Sequence, residues 1–463
     1  MIYIFINKKE IGYMKRIIII MMVLCIAVLI GICAVYSVSE VPPIEVAGTV
    51  DSEPAVAMLD PNEYVVSDNF ASKALDIPII SIVTDNGDKI RSKDEYSISS
   101  VSVTNTLRKY TFDNASAGVR GRGNATWGME KKSYRVRFDT KINLFEAGKG
   151  AAKSWVLFAN HCDQSLLRNY LGLRLGNLFD GIDISSSTTL VELYLNGKYE
   201  GVYLLAEQTQ IHQSRVNVKI TQTSPETDGY LIELDQYAEG RDGIDRIRVN
   251  GEPYSIKNEV RTEELAKRIE KHLSAIETAL EKEDQEALCA LVDIDSCVDT
   301  YLIQEFAKNI DVGWSSFYMY VPSEGEKLYF GCPWDFDLAF GNDERLDSGG
   351  FEDLYVATGR RGFTQSHYWF IRLMNQDWFV DLVKARWDYA YDIFTLAIQE
   401  IEDVYQASQF AFDHNFERWE IFGGKLNQEP RAIRKLNSAR EHITYMTEWM
   451  TNRLNWLDDY FRG

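Results

Sequence analysis

The chain has 463 residues, 49 of them basic and 69 acidic, for a formal charge of −20. A surplus of that size excludes nucleic acid as the main partner, because phosphate backbones demand a dense basic surface. Hydrophobic residues at 45% and charged residues at 25% exclude a mostly disordered or collagenous chain, and the length is ample for a self-sufficient core.

Residues 1–16 carry Lys8, Lys9, Lys15 and Arg16 against Glu10, and Ile17 to Tyr36 is an unbroken apolar run. Its length matches the ~20 residues that span a bilayer as a helix, and the basic flank belongs on the cytoplasmic side. This predicts one transmembrane segment over 17–38, with everything after it outside the cytoplasm. The run exceeds a usual signal core and no clean small-x-small site follows it. A retained anchor is therefore expected, with cleavage and secretion as the alternative, and Met14 is a second candidate start. Residues 39–72 mix Pro, Ser and acidic residues without a period and read as a linker. Residues 73–463 are the folded domain. Cys162, Cys289, Cys297 and Cys332 form no CxxC pair, and the six histidines have no ligand spacing, so no zinc site is signalled.

From Ile77 the pattern is strand-like: IPIISIVTD, a polar turn at Asn86-Gly87-Asp88, then alternating SISSVSV. Tyr134, Val136 and Phe138 alternate with Arg135 and Arg137, as in a half-exposed strand. LVELYLNGKYEGVYLLAE reads as a hairpin turning at Asn196-Gly197. Helices follow: Ser165 to Phe179 with leucines on one face, Leu265 to Leu280 at helical spacing, a helix capped by Asp295, and a long amphipathic segment from Ile433 to Phe461. Strands first and helices last predict an α+β fold with a β-rich N-terminal lobe and a helix-rich C-terminal lobe over 365–463.

Three segments carry candidate chemistry. In GVRGRGNATWGMEKKSYRVRF, Gly118, Gly121, Gly123 and Gly128 permit close backbone approach to an anion. Arg120, Arg122, Lys131, Lys132, Arg135 and Arg137 make this the most basic stretch after residue 38, a strip suited to nucleotide phosphates. Asp311 lies on a loop between a helix and an aromatic strand, where catalytic groups are commonly displayed. In PWDFDLAFG, Asp335 and Asp337 are costly to bury unless paired or bound to a cation, and two residues apart on an extended segment they would share a face and both reach one Mg²⁺ or two adjacent ions. No GxSxG elbow or cysteine-nucleophile motif appears.

In order and spacing, RGRGNATW…KKSYRVRF, WVLFANHCDQSLLRNYL, VELYLNGKYEGVYLLAEQ, the Asp311 loop and PWDFDLAFG resemble the CotH kinase family, the spore-coat-protein-H-like atypical protein kinases. The resemblance runs from 77 to 341 and continues loosely beyond. It implies a divergent protein-kinase-like fold that binds ATP with Mg²⁺ or Mn²⁺ and phosphorylates Ser or Thr of a surface or spore-coat protein. By motif position it implies Asp311 as the catalytic base and Asp335 as the metal ligand, assisted by Asp337. Lys132, with Lys131 as the second choice, would contact phosphates, and Arg122 and Glu207 belong to the same cofactor site. Arg168-Asn169 are motif positions without an assigned role. Where the family often carries a metal-binding Asn, this chain has Ser315-Ser316, poorer ligands. A non-catalytic surface or spore-coat scaffold that keeps the fold is therefore the alternative.

Overall fold

The computed structural model describes residues 60, 62–65, 77–221, 223–238, 244–358 and 367–463. The apolar run 17–36 and most of the 39–72 linker lie outside them. No helix among the described residues is long and apolar enough to cross a membrane.

The strands are β1 (Tyr64–Val65), β2 (Ile79–Thr84), β3 (Ser97–Thr104), β4 (Thr106–Leu107), β5 (Phe112–Gly121), β6 (Tyr134–Ile142), β7 (Ala152–Phe158), β8 (Thr188–Leu195), β9 (Lys198–Glu207), β10 (Tyr230–Leu234), β11 (Arg246–Val249), β12 (Glu252–Ile256), β13 (Phe317–Val321) and β14 (Tyr329–Phe330). Seven of them close into a barrel in the order β2-β3-β5-β6-β7-β9-β8, sealed where β8 runs parallel to β2. Alternation built this barrel. Val136 and Phe138 point inward with Ile80, Ile82, Val119, Trp155 and Leu157, while Arg135 and Arg137 face out. Trp155 is fully enclosed, and truncating such a side chain to Ala costs about 3–5 kcal/mol. The β8–β9 hairpin turns at Asn196 and Gly197, with φ of 50° and 74°, as an asparagine-glycine turn requires.

A second sheet, ordered β11-β12-β10-β13-β14, follows the barrel. Its middle strand β10, YLIEL, is buried at every position, so it lacks the alternation that marks a half-exposed strand, and sequence periodicity alone did not single it out. The helices are α1 (Arg168–Leu178), α2 (Glu263–Glu281), α3 (Gln285–Leu291), α4 (Ile294–Ala307), α5 (Tyr368–Leu373), α6 (Asp377–Ala407), α7 (Gln409–Arg418) and α8 (Ala439–Arg462). Helix α4 starts at Asp293, whose carboxylate accepts the Ser296 amide, and not at the expected Asp295. Almost every residue of α4 is buried, so the boundary had no amphipathic cue. The last helix begins at the Ser438 cap, and a short 3-10 turn over Ile433–Lys435 precedes it. The β-rich part followed by a helical part agrees with the α+β expectation.

Candidate functional site

A cleft of about 970 Å³ opens between the outer face of the barrel at β5–β7 and the loops that follow α4 and β14. Arg122, Lys131, Asp311, Ser315, Ser316, Asp335 and Asp337 all line it. Segments nearly two hundred residues apart in the chain thus meet in one cavity.

The Asp311 loop is held from several sides. Helix α4 ends at Lys308 in a left-handed conformation, and the Lys308 ammonium donates to the carbonyls of Gly350 (3.0 Å) and Glu352 (2.5 Å). The Asn309 carboxamide accepts the Asp311 amide at 3.1 Å and donates to the Asp335 carbonyl at 3.4 Å, tying the two aspartate segments together. Tyr355 donates its hydroxyl to the Ile310 carbonyl at 3.1 Å. The cleft walls crowd the Asp311 carboxyl. Loss of water, then the nearby Asp335 charge, push its pKa up to about 7, against the opposing pull of Arg345.

Segment 333–341 is irregular and not the extended strand its two-residue spacing suggested. Asp335 has φ of 67° and Ser316 has φ of 61°, left-handed conformations that cost a non-glycine residue about 1–2 kcal/mol. The two strained residues face each other: Ser316 donates its hydroxyl to Asp335 Oδ2 at 3.1 Å, while its amide donates to Glu233 on β10. Asn169 on α1 accepts the Phe336 amide at 2.7 Å, between the two aspartates. Arg168, fully buried and paired with Asp163 at 2.5 Å, donates from Nε to the Ala339 carbonyl. Asn342 donates to the Asp337 carbonyl at 2.7 Å. Arg168-Asn169, which carried no role from sequence, are therefore the brace of the aspartate segment. Asp337 is buried, and loss of water, followed by the charges of Asp335 and Asp311, raises its pKa well above the usual carboxylate range.

The cationic candidates separate. Arg122 lies over the Phe158 ring at 4.6 Å and the Trp334 ring at 5.5 Å. Crowding lowers its pKa, and Asp335, Tyr318, Glu233 and Asp337 pull the other way. Its guanidinium forms no hydrogen bond or ion pair among the described residues. Lys131 also lines the cleft, but its ammonium donates to the Val202 carbonyl and, at 2.9 Å, to Asn415 of α7, and burial brings its pKa down to about 7. Lys132, the residue preferred from sequence, turns away and donates to the carbonyls of Trp127 and Met129, both at 2.8 Å. Glu207 is also outside the cleft wall, fully enclosed with Arg215 at 2.9 Å and accepting the Lys149 and Ser187 amides. The next residue, Gln208, lines the cleft instead. Of the four glycines, Gly123 lines the cleft with φ of 91°, whereas Gly121 is needed because a Cβ there would meet the Trp127 ring at 2.1 Å. Sequence reading passed over Glu233 and Arg345. Glu233 sits in a strand without alternation, and Arg345, which lines the cleft and grips Asp343 with Nε and Nη2, belongs to no motif.

The donor set suits a hard divalent cation. Asp335, Asp337 and the Ser316 hydroxyl offer oxygen donors, and the raised Asp337 and Asp311 pKa values, caused first by loss of water and then by the neighbouring carboxylates, are what a cation bound among them would bring down. Among the described residues no three His, Cys, Asp or Glu side chains stand close enough to cage a metal by themselves. Mg²⁺ commonly takes one or two carboxylates and completes its shell with water and phosphate oxygens, so the set fits that ion when a phosphorylated ligand is present.

A family model described as CotH kinase protein matches residues 119–457, most of the chain, and the chain belongs to that family. No curated protein matches it.

Proposed function

We propose that the protein is a protein kinase that transfers the γ-phosphoryl group of ATP to a Ser or Thr hydroxyl of another protein. The observation that supports this reading is the convergence of one guanidinium without a protein partner, Arg122, with Asp311, Asp335 and Asp337 in a single cleft. Phosphoryl transfer asks chiefly for positioning and for neutralisation of charge on the transferred group. Arg122, held over the Phe158 and Trp334 rings, presents its donors to phosphate oxygens. Asp335 and Asp337, with the Ser316 hydroxyl, would hold Mg²⁺, which would neutralise phosphate charge. Asp311 orients the acceptor hydroxyl and receives its proton, and a carboxyl with a pKa near 7 is matched to that task at neutral pH. Lys131 acts from the cleft wall by fixing α7 to β9 through Asn415 and Val202.

The test is incubation of the full-length chain with γ-labelled ATP, Mg²⁺ or Mn²⁺ and candidate acceptor proteins. Transfer by the wild type and none by Asp311→Ala is expected. Equal transfer by the two proteins would reject Asp311 as the base. The second reading, a non-catalytic scaffold, is favoured by Ser316 standing on Asp335 where a carboxamide would be the better ligand. It predicts no Mg²⁺-dependent nucleotide binding, which calorimetry reads directly. The apolar run 17–36 with Lys15-Arg16 before it supports a place on the outer side of a membrane, with acceptors at the cell surface.

A further inference from the structure

The cleft holds more positive charge than the reading above uses. Strand register sets Arg120 on β5 directly opposite Arg135 on β6, and like charges directly opposite each other in an antiparallel pair destabilise it. Arg122 comes two residues later in the chain, just past the end of β5. Crowding lowers the Arg135 pKa and the charges of Arg120, Arg137 and Arg122 lower it further, with Tyr96 opposing. Elsewhere this protein answers such charge with carboxylates, as where Arg386 meets Asp299 at 2.8 Å. Arg120 and Arg135 meet none: neither forms an ion pair among the described residues. Arg120 lies over the Tyr96 ring at 5.2 Å and makes one long hydrogen bond, 3.4 Å, to the Gly121 carbonyl. Arg135 reaches the Ser154 hydroxyl at 3.4 Å, and its buried Nε has no partner. Both line the cleft, as does Lys93. Two planar donor forks on directly paired residues, each raising the cost of the other's charge, suit a doubly charged oxyanion.

We propose that Arg120 and Arg135 form a second anion subsite of the cleft, separate from Arg122, that takes a phosphate dianion. The proposal rests on the reading in which Arg122 holds the transferred phosphoryl group. The second phosphate then belongs either to the α,β part of the nucleotide or to an acceptor that already carries a phosphorylated residue.

Calorimetry on the full-length chain in detergent tests it, with Mg²⁺ and the non-hydrolysable β,γ-imido analogue of ATP as one probe and inorganic phosphate as the other. If the phosphate is the acceptor's, inorganic phosphate binds to chain already saturated with the analogue, and the R120Q/R135Q double variant weakens that binding at least tenfold with analogue affinity unchanged. If it is the nucleotide's, the double variant weakens the analogue at least tenfold and no further phosphate binds to saturated wild type. If wild type ignores the analogue yet binds phosphate through the two arginines, the kinase reading fails and the subsite stands. Equal binding of both probes by variant and wild type, or no binding of either by wild type, overturns the proposal. Removing two repelling charges should also leave the ligand-free Tm equal or higher. A fall of several degrees would make the arginines structural and overturn it equally.

Discussion

In the helical part, Glu305 of α4 and Arg453 of α8 are enclosed together at 2.8 Å. The amides of Tyr355 and Val356 also donate to the carboxylate, and the carbonyls of Phe351 and Asp353 accept from the guanidinium. In the cleft, Asp337 is similarly buried and Asp311 is crowded by the walls, yet neither has a cation at ion-pair distance among the described residues. Closed pairs such as Glu305–Arg453, Asp163–Arg168 and Glu207–Arg215 hold segments in place. The acids of the cleft have no such partner, and their raised pKa values show that their charged forms are unfavourable until something else compensates them. Arg122, Arg120 and Arg135 repeat this with the opposite sign. Charge compensation, more than burial, thus separates the scaffold from the site.

Breaking a closed pair should give the largest effect. Arg453→Met strands Glu305 in the interior, and chemical denaturation should report a loss of about 3–5 kcal/mol. A loss under ~1 kcal/mol would show the pair to be no more structural than the cleft carboxylates. Next in size is ligand stabilisation. Mg²⁺ with the ATP analogue at a hundred times its Kd should stabilise wild type by about 2.7 kcal/mol, and Asp335→Asn should show almost none of this. Equal gains in both proteins would remove Asp335 from the metal site.

Asp311→Asn should do the reverse of the Arg453 variant. The native carboxyl, with its pKa pushed up to about 7, holds its proton where the unfolded chain has released it. Its contribution is therefore favourable below about pH 4 and is lost as pH rises through 7. In metal-free buffer at pH 8 the variant should be more stable than wild type, by up to about 4 kcal/mol, with the two converging near pH 4. Its phosphoryl transfer should be abolished. A variant less stable than wild type at pH 8 would mean that the carboxylate is compensated after all. The smallest effect belongs to an exposed pair that is neither scaffold nor site. Lys267→Ala, which removes the Lys267–Glu263 contact on α2, should change stability by less than ~0.5 kcal/mol in urea unfolding.

Much of the fold was legible because its signals are local. The alternation of Tyr134, Val136 and Phe138, the Asn196-Gly197 turn and the three- and four-residue steps of α8 each fix an element within a few residues of chain. The second sheet and the start of α4 were not legible, because elements buried on every side carry no periodicity. In the site, the segments holding Asp311 and Asp335 stood out by type and context, and the cleft brings them together.

The sequence by itself determined the half-exposed strands of the barrel, the amphipathic helices, and which short segments carry the basic and acidic groups of the cleft. It did not decide between neighbours. Lys131 faces the cleft and Lys132 caps two carbonyls because Asn415, far along the chain, meets the first ammonium and the turn at Trp127 and Met129 meets the second. Glu207 left the site because Arg215 closes over it. Arg122 packs on the Phe158 and Trp334 rings, and folding brings Asp335, Glu233 and Asp337 near enough for their charges to act on it without any of them forming an ion pair with it. Periodicity is written along the chain, whereas the protonation and the partners of a charged group depend on everything packed around it, which only the tertiary structure decides.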